Sequence, residues 1–171
     1  MAYYLLHGSI ANNLGQLLIS DLFVMPMGMD GRVGGEPIAF NSFIKQFELT
    51  GTLHTMDIPE ADILQLKATL PEAINYGKSM HMVRKIDKLQ FQMEKDLAVQ
   101  KERLKNWKRA KGEQLELDFG DKGEFGIMKR RKEEKERQIQ TISDKSSRYF
   151  QDLNTLDADP YIKVLAVFYN N

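Results

Sequence analysis

The longest regular pattern of apolar positions lies between residues 76 and 153. Ile86, Leu89, Met93, Leu97, Gln100, Leu104 and Trp107 recur at steps of three and four, and the other faces are dominated by Lys, Arg, Gln, Glu and Asp. A period near 3.5 residues places one stripe along one side of a helix, as in a coiled-coil seam. Ile139, Ile142, Ser146, Tyr149 and Leu153 step in the same way, with Lys135 and Ser146 as weak seam positions. A lone amphipathic helix cannot cover its own stripe, so each seam predicts a partner, and the nearest is the other seam. Gly112, Gly120, Gly123 and Gly126 stand between them and predict a reversal over 112–126. Two rods result, 78–111 and 127–153, roughly 50 and 40 Å long at a rise of about 1.5 Å per residue. Leu115, Leu117 and Phe119 alternate at the turn, which predicts a short extended piece there.

Outside this region the pattern is shorter in range. Tyr3–Leu6 reads as a strand ended by Gly8 and Ser9, and Tyr161–Tyr169, rich in Val, Ile and aromatics, as a second strand. Each needs a partner, so the two chain-terminal segments are expected to pair. Leu14, Leu17, Leu18 and Leu22 have mixed spacing that fits a short helix, whereas Leu22–Met25 alone fits a strand. Residues 26–37 are turn chemistry, with two Pro and four Gly. A helix is expected from Asn41, capped by Asn41 or Ser42, with Gly51 beyond its end. Pro59 suits the first turn of another helix, whose dipole favours Glu60 and Asp62, and Pro71 predicts a kink or break in it. The predicted fold class is α+β, mostly helical: a small mixed α/β base, 1–75 plus 154–171, carrying a long antiparallel coiled-coil hairpin, 76–153.

Charge adds one feature. The net charge of the 171 residues is zero, but 78–111 holds 11 basic and 4 acidic side chains, 112–126 holds 1 and 5, and 127–153 holds 8 and 5. Two basic segments therefore flank an acidic tip. The absence of Cys excludes disulfides and thiolate metal sites and agrees with a cytoplasmic setting. There is no apolar run of about 18 residues and no basic-then-apolar leader, so neither a membrane partner nor secretion is expected.

Catalytic chemistry finds little support in the residues. "GRVGGEP" lacks the Gly-Lys-Ser/Thr ending of a phosphate loop. His7, His54 and His81 lack the spacing of a helical metal site, and Glu133 and Glu134 read as solvated helix charges. No catalytic or metal residue is assigned. The basic residues Lys101, Arg103, Lys105, Lys108, Arg109, Lys129, Arg130, Arg131 and Lys132 fall on both sides of the tip. They read either as an ordinary coiled-coil surface or as phosphate contacts to nucleic acid. Leu115, Leu117 and Phe119 read either as a partner-docking tip or as side chains folded back on the rods.

The order of "LLHGSIANNLGQLLISDLFV", "GRVGGEPIAF", "IPEADILQLKATLPEAI", a charged hairpin with "QLELDF" at its turn, and "DPYIKVLAVF" resembles the C-terminal region of bacterial SWI/SNF-like superfamily-two helicases. These are related to the RNA-polymerase-recycling translocases and to the helicase of the DISARM phage-defence system. The resemblance covers nearly the whole chain and implies a cytoplasmic, DNA-translocating ATPase. The chain departs from that family in having no Gly-Lys-Thr phosphate loop, no Asp-Glu-x-His box and no arginine-rich last helicase motif. It is therefore expected to be no enzyme alone, and to be an accessory end whose helicase core, in the same polypeptide or a split partner, holds ATP and magnesium. Two functions stay open: an accessory module contacting duplex DNA or a protein through its hairpin, and a coiled-coil interaction scaffold without nucleic-acid contact.

Overall fold

A computed structural model describes residues 1–47, 59–120, 126–157 and 159–169. The chain is mixed α+β and mostly helical, and forms two compact units. One comprises Met1–Leu89 with Leu156–Asn171, the other Gln90–Thr155.

In the first unit β1 (Ala2–Ala11) is central to a four-stranded antiparallel sheet. It lies between β2 (Leu17–Met27) and β4 (Tyr161–Tyr169), and β3 (Ile38–Ala39) pairs with the far side of β2. The terminal segments are neighbours as expected, with Leu5 opposite Ala166 and Ser9 opposite Tyr161. Two expectations are corrected. Gly8 and Ser9 do not end β1, which continues to Ala11, and Leu17–Met27 is strand throughout. The period of two explains both. Tyr4 and Leu6 on β1, with Phe23, Met25 and Met27 on β2, fill one core, whereas Leu5 and Val24 face the opposite one.

That second core is closed by Phe43 of α1 (Phe40–Gln46), which packs against Tyr3 and Phe168 at 5.4 and 5.3 Å between ring centroids. Helix α1 starts without a side-chain cap, after Ala39 rather than at Asn41 or Ser42. The first core is closed by α2 (Glu60–Tyr76), which buries Leu66, Thr69 and Ala73. The Tyr4 hydroxyl donates to the Leu66 carbonyl at 2.9 Å and lies 2.5 Å from Thr69 Oγ1, so the largest polar group in this core keeps its hydrogen bonds. Pro59 precedes α2 as its cap, and Pro71 does not end the helix, which runs on to Tyr76. The buried face on either side of Pro71 holds the helix against the sheet, so packing overrides propensity.

The irregularity comes six residues later. Gly77–Met82 is a π-helical turn, and Val83 donates to the Lys78 carbonyl five residues back. Leu66, Leu70, Ala73 and Gly77 step by three and four, as do Met82, Ile86 and Leu89, but Gly77 to Met82 is a step of five. A turn one residue wider absorbs that step and keeps the same side facing the sheet. At this turn the backbone comes very close. A Cβ on Gly77 would sit 2.9 Å from Leu6 Cδ1 and 3.1 Å from Phe23 Cε2, and one on Gly8 would collide with the Met82 thioether. Gly77→Val is accordingly expected to destabilise the protein by about 1–3 kcal/mol, despite the better helix propensity of Val than Gly. An unchanged urea midpoint would refute this close packing.

Helix α3 (Val83–Phe119) runs from the first unit into the second, and α4 (Gly126–Leu153) lies in the second. The expected extended piece at the turn is helical instead: α3 continues through Gly112 to Phe119, and Gly120 and Gly126 have positive φ. Along α3 the least exposed positions include Met93, Leu97, Gln100, Leu104, Trp107, Leu115 and Phe119, the predicted seam carried about three turns further. Along α4 the stripe runs through Ile139, Ser143, Ser146, Phe150 and Leu153, and Ile142 and Tyr149 are each 50% exposed. Asn154 Nδ2 donates to Gln100 Oε1 at 2.8 Å, Lys132 Nζ donates to the Glu116 carboxylate at 2.8 Å, and Lys135 Nζ lies 5.2 Å from the Phe119 ring. As positions on α3 advance from Gln100 to Phe119, their partners retreat from Asn154 to the Lys132–Lys135 turn.

Candidate nucleic-acid interface

The nine predicted basic residues all lie on α3 or α4, and the structure divides them by what their charges meet. Lys105 and Arg109 sit 3.9 Å from Glu102 and Glu113, loose pairs on the helix surface. Lys132 is only 19% exposed at its side chain, with its ammonium 2.7 Å from Glu116. Among the described residues Lys101, Arg103, Lys108, Lys129, Arg130 and Arg131 are exposed and have no ion-pair partner. Lys101, Lys105 and Lys108 are spaced i, i+4 and i+7, one ridge beside the α3 stripe, and Lys129–Arg131 open α4. A shallow groove further along α4 is lined by Glu134, Arg137, Gln138, Thr141 and Ile142.

The three tip side chains separate. Leu115 and Phe119, one helical turn apart, are buried, and Leu117, pointing away from them, is 87% exposed. Of the three only Leu117 is left exposed, because continuing the helix to Phe119 turns its neighbours inward, as the folded-back alternative has it for Leu115 and Phe119. Residues 121–125 of the expected acidic tip lie outside the described residues, as do Gly51 and His54.

Two histidine environments escape inspection of the sequence. His81, on the π turn, stacks on Phe23 with ring centroids 4.1 Å apart and donates from Nε2 to Asp21 Oδ2 at 2.5 Å. Lys85 donates to the same oxygen at 2.5 Å, so a partly buried carboxylate clamps the π turn and the start of α3 to β2. Burial pushes the Asp21 pKa up, but hydrogen bonds from His81 and Lys85, with their charges, outweigh it and hold the carboxyl below the ordinary aspartate range. On the other face of the sheet His7 Nε2 and Ser20 Oγ are 2.9 Å apart. No sequence spacing announces either pair, since partners 60 and 13 residues apart meet only through the β1–β2 register and the packing of the turn. Among the described residues no group of three His, Cys, Asp or Glu side chains is arranged to hold a metal ion. No described helix is long and apolar enough to cross a membrane.

Comparison with family models, curated proteins and solved structures finds no match to this chain.

The geometry generates two expectations. Because the folded Asp21 pKa is depressed, its contribution is complete above the unfolded value and is lost as pH falls through it and below. Wild-type stability should thus fall more steeply than that of Asp21→Asn below about pH 5, read as urea midpoints from neutral to acid pH. At the tip, Leu115→Ala should cost about 2 kcal/mol while Leu117→Ser stays within about 0.5 kcal/mol of wild type, by the same measurement.

Proposed function

We propose that this chain is an accessory module of a DNA-dependent ATPase of the SWI/SNF-like helicase class. In this reading residues 90–155 form an antiparallel coiled-coil hairpin that lies along duplex DNA. The observation that carries it is the set of exposed, unpaired cations on both helices, Lys101, Arg103, Lys108, Lys129, Arg130 and Arg131. Such groups meet phosphate oxygens, so contact is independent of sequence and sensitive to salt. The retreating order of the α3–α4 side-chain contacts supports the hairpin, since antiparallel neighbours meet in that order.

The resemblance to the helicase C-terminal region supplies the remainder of the reading: a helicase core as principal partner, ATP and magnesium held in that core, a cytoplasmic setting and a place in phage defence. The chain alone then hydrolyses no ATP. A second reading, a protein-interaction scaffold, is favoured by the half-exposed Ile142 and Tyr149 and by Leu117.

A low-salt titration with labelled duplex DNA separates the two. Reversing Lys129, Arg130 and Arg131 to Glu leaves the Lys132–Glu116 pair intact. It should weaken binding by about tenfold or more and flatten the slope of log K against log salt by roughly 0.9 per lost phosphate contact. Equal affinity for both proteins, or no binding by wild type, leaves the scaffold reading.

A further inference from the structure

We propose that the half of the sheet face left open by α1 binds single-stranded nucleic acid. Among the described residues, α1 packs on this face over Tyr3, Leu5, Val24, Ile38, Ala166 and Phe168. Further along, the register places His7 between Leu22 of β2 and Lys163 of β4, and Ser9 between Ser20 and Tyr161. Directly opposed side chains stand about 5 Å apart and successive rows about 7 Å apart, so the group spans roughly 10 Å across three strands. Lys163, Ser20 and Tyr161 are exposed, Tyr161 66% so as a residue.

The chemistry of the patch is one-sided. It offers the Lys163 ammonium, the His7 imidazole and the hydroxyls of Ser9, Ser20 and Tyr161, and His7 already bonds Ser20 at 2.9 Å. No carboxylate stands among these cross-strand neighbours. Asp21, next to Ser20 in sequence, turns to the opposite face and is held there by His81 and Lys85. Hydroxyl and ammonium donors without an acceptor charge favour a phosphate. The open aromatic ring beside them favours an unstacked base, because base–aromatic stacking works with any base. Duplex DNA keeps its bases stacked inside the helix and cannot offer one to a flat sheet, so the fit is to a single strand. This surface lies in the first compact unit and shares no residue with the α3–α4 interface, so the inference goes beyond the duplex-DNA reading and stands or falls separately.

The test uses the full chain and a labelled oligo-dT of about 12 nucleotides, within the length such sheet surfaces occupy. Wild type should bind it in low salt. Tyr161→Val, which keeps strand propensity at an exposed position, should weaken binding about tenfold. Lys163→Gln should weaken it severalfold and reduce its salt dependence by about 0.7 in slope, the single-strand value for one contact. The Lys129, Arg130 and Arg131 reversal should leave oligo-dT affinity unchanged while weakening duplex binding. Urea midpoints equal to wild type confirm that both sheet variants are folded, and an unfolded Tyr161→Val leaves Lys163→Gln to decide. The proposal is overturned by wild type that ignores oligo-dT, or by folded sheet variants that bind like wild type. Loss of oligo-dT binding in the helix reversal also overturns it, as does displacement by inorganic phosphate at the concentration at which phosphate itself binds.

Discussion

The base depends on how closely the backbone of residues 77–82 approaches β1 and β2. Gly77 has no Cβ because Leu6 and Phe23 occupy that space, and Gly8 has none because the Met82 thioether does. Both glycines trade conformational freedom for contact: Gly in a helix or strand interior costs roughly 0.5–1 kcal/mol relative to Ala. The gain is a seat on the sheet for the turn that joins α2 to α3. The π turn then absorbs the step of five between Gly77 and Met82, so the inward stripe of α2 continues as the inward stripe of α3. His81 stacked on Phe23, and Asp21 bonded to both His81 and Lys85, hold the turn from its polar side. Apolar contact and a shared carboxylate thus act on one place, where α3 leaves the sheet.

Much of this was legible in the sequence, and the failures have a common cause. β4 and the first half of β1 announce themselves by β-branched and aromatic density, and the α3 seam by its period. Gly8 misleads because an isolated glycine reads as a breaker, whereas here it is the space into which a partner fits. Gly112 also reads as a breaker, but for a different reason, since nothing lies within 4 Å of where its Cβ would be. Leu115 and Phe119, at i and i+4, gain a buried face by staying helical, which offsets the propensity of one glycine. In α4 the sequence favours Ile142 and Tyr149 by hydrophobicity, yet Ser143 and Phe150 lie on the less exposed stripe. A small shift in phase exchanges one pair for the other, and the hydrophobic period alone does not fix that phase.

The candidate surfaces differ in legibility for a related reason. Exposure of Lys101, Arg103 and Arg130 follows from the helical period alone. Capture of Lys132 by Glu116 does not, because the pair is 16 residues apart and exists only if α3 stays helical past Gly112. The polar patch of the sheet is less visible still: His7, Ser20 and Lys163 come from three strands, and a register shifted by one residue would turn them into the core. Period reveals what a single element exposes, whereas function at a surface built from several elements depends on register.

Net charge is a poor guide to where such surfaces lie. The unit Met1–Leu89 with Leu156–Asn171 carries 8 basic and 11 acidic side chains, and Gln90–Thr155 carries 16 and 13, a difference of three charges in each direction. Salt screens exposed charges beyond about 8 Å at physiological ionic strength, so charges act together only when clustered. Residues 101–109 hold five cations and one carboxylate along roughly 12 Å of helix, and 129–132 hold four cations in one turn. Part of each cluster is cancelled locally, since Glu102 pairs with Lys105, Glu113 with Arg109 and Glu116 with Lys132. What a polyanion would meet at close range is therefore the local excess, larger on each cluster than the net charge of the whole chain implies.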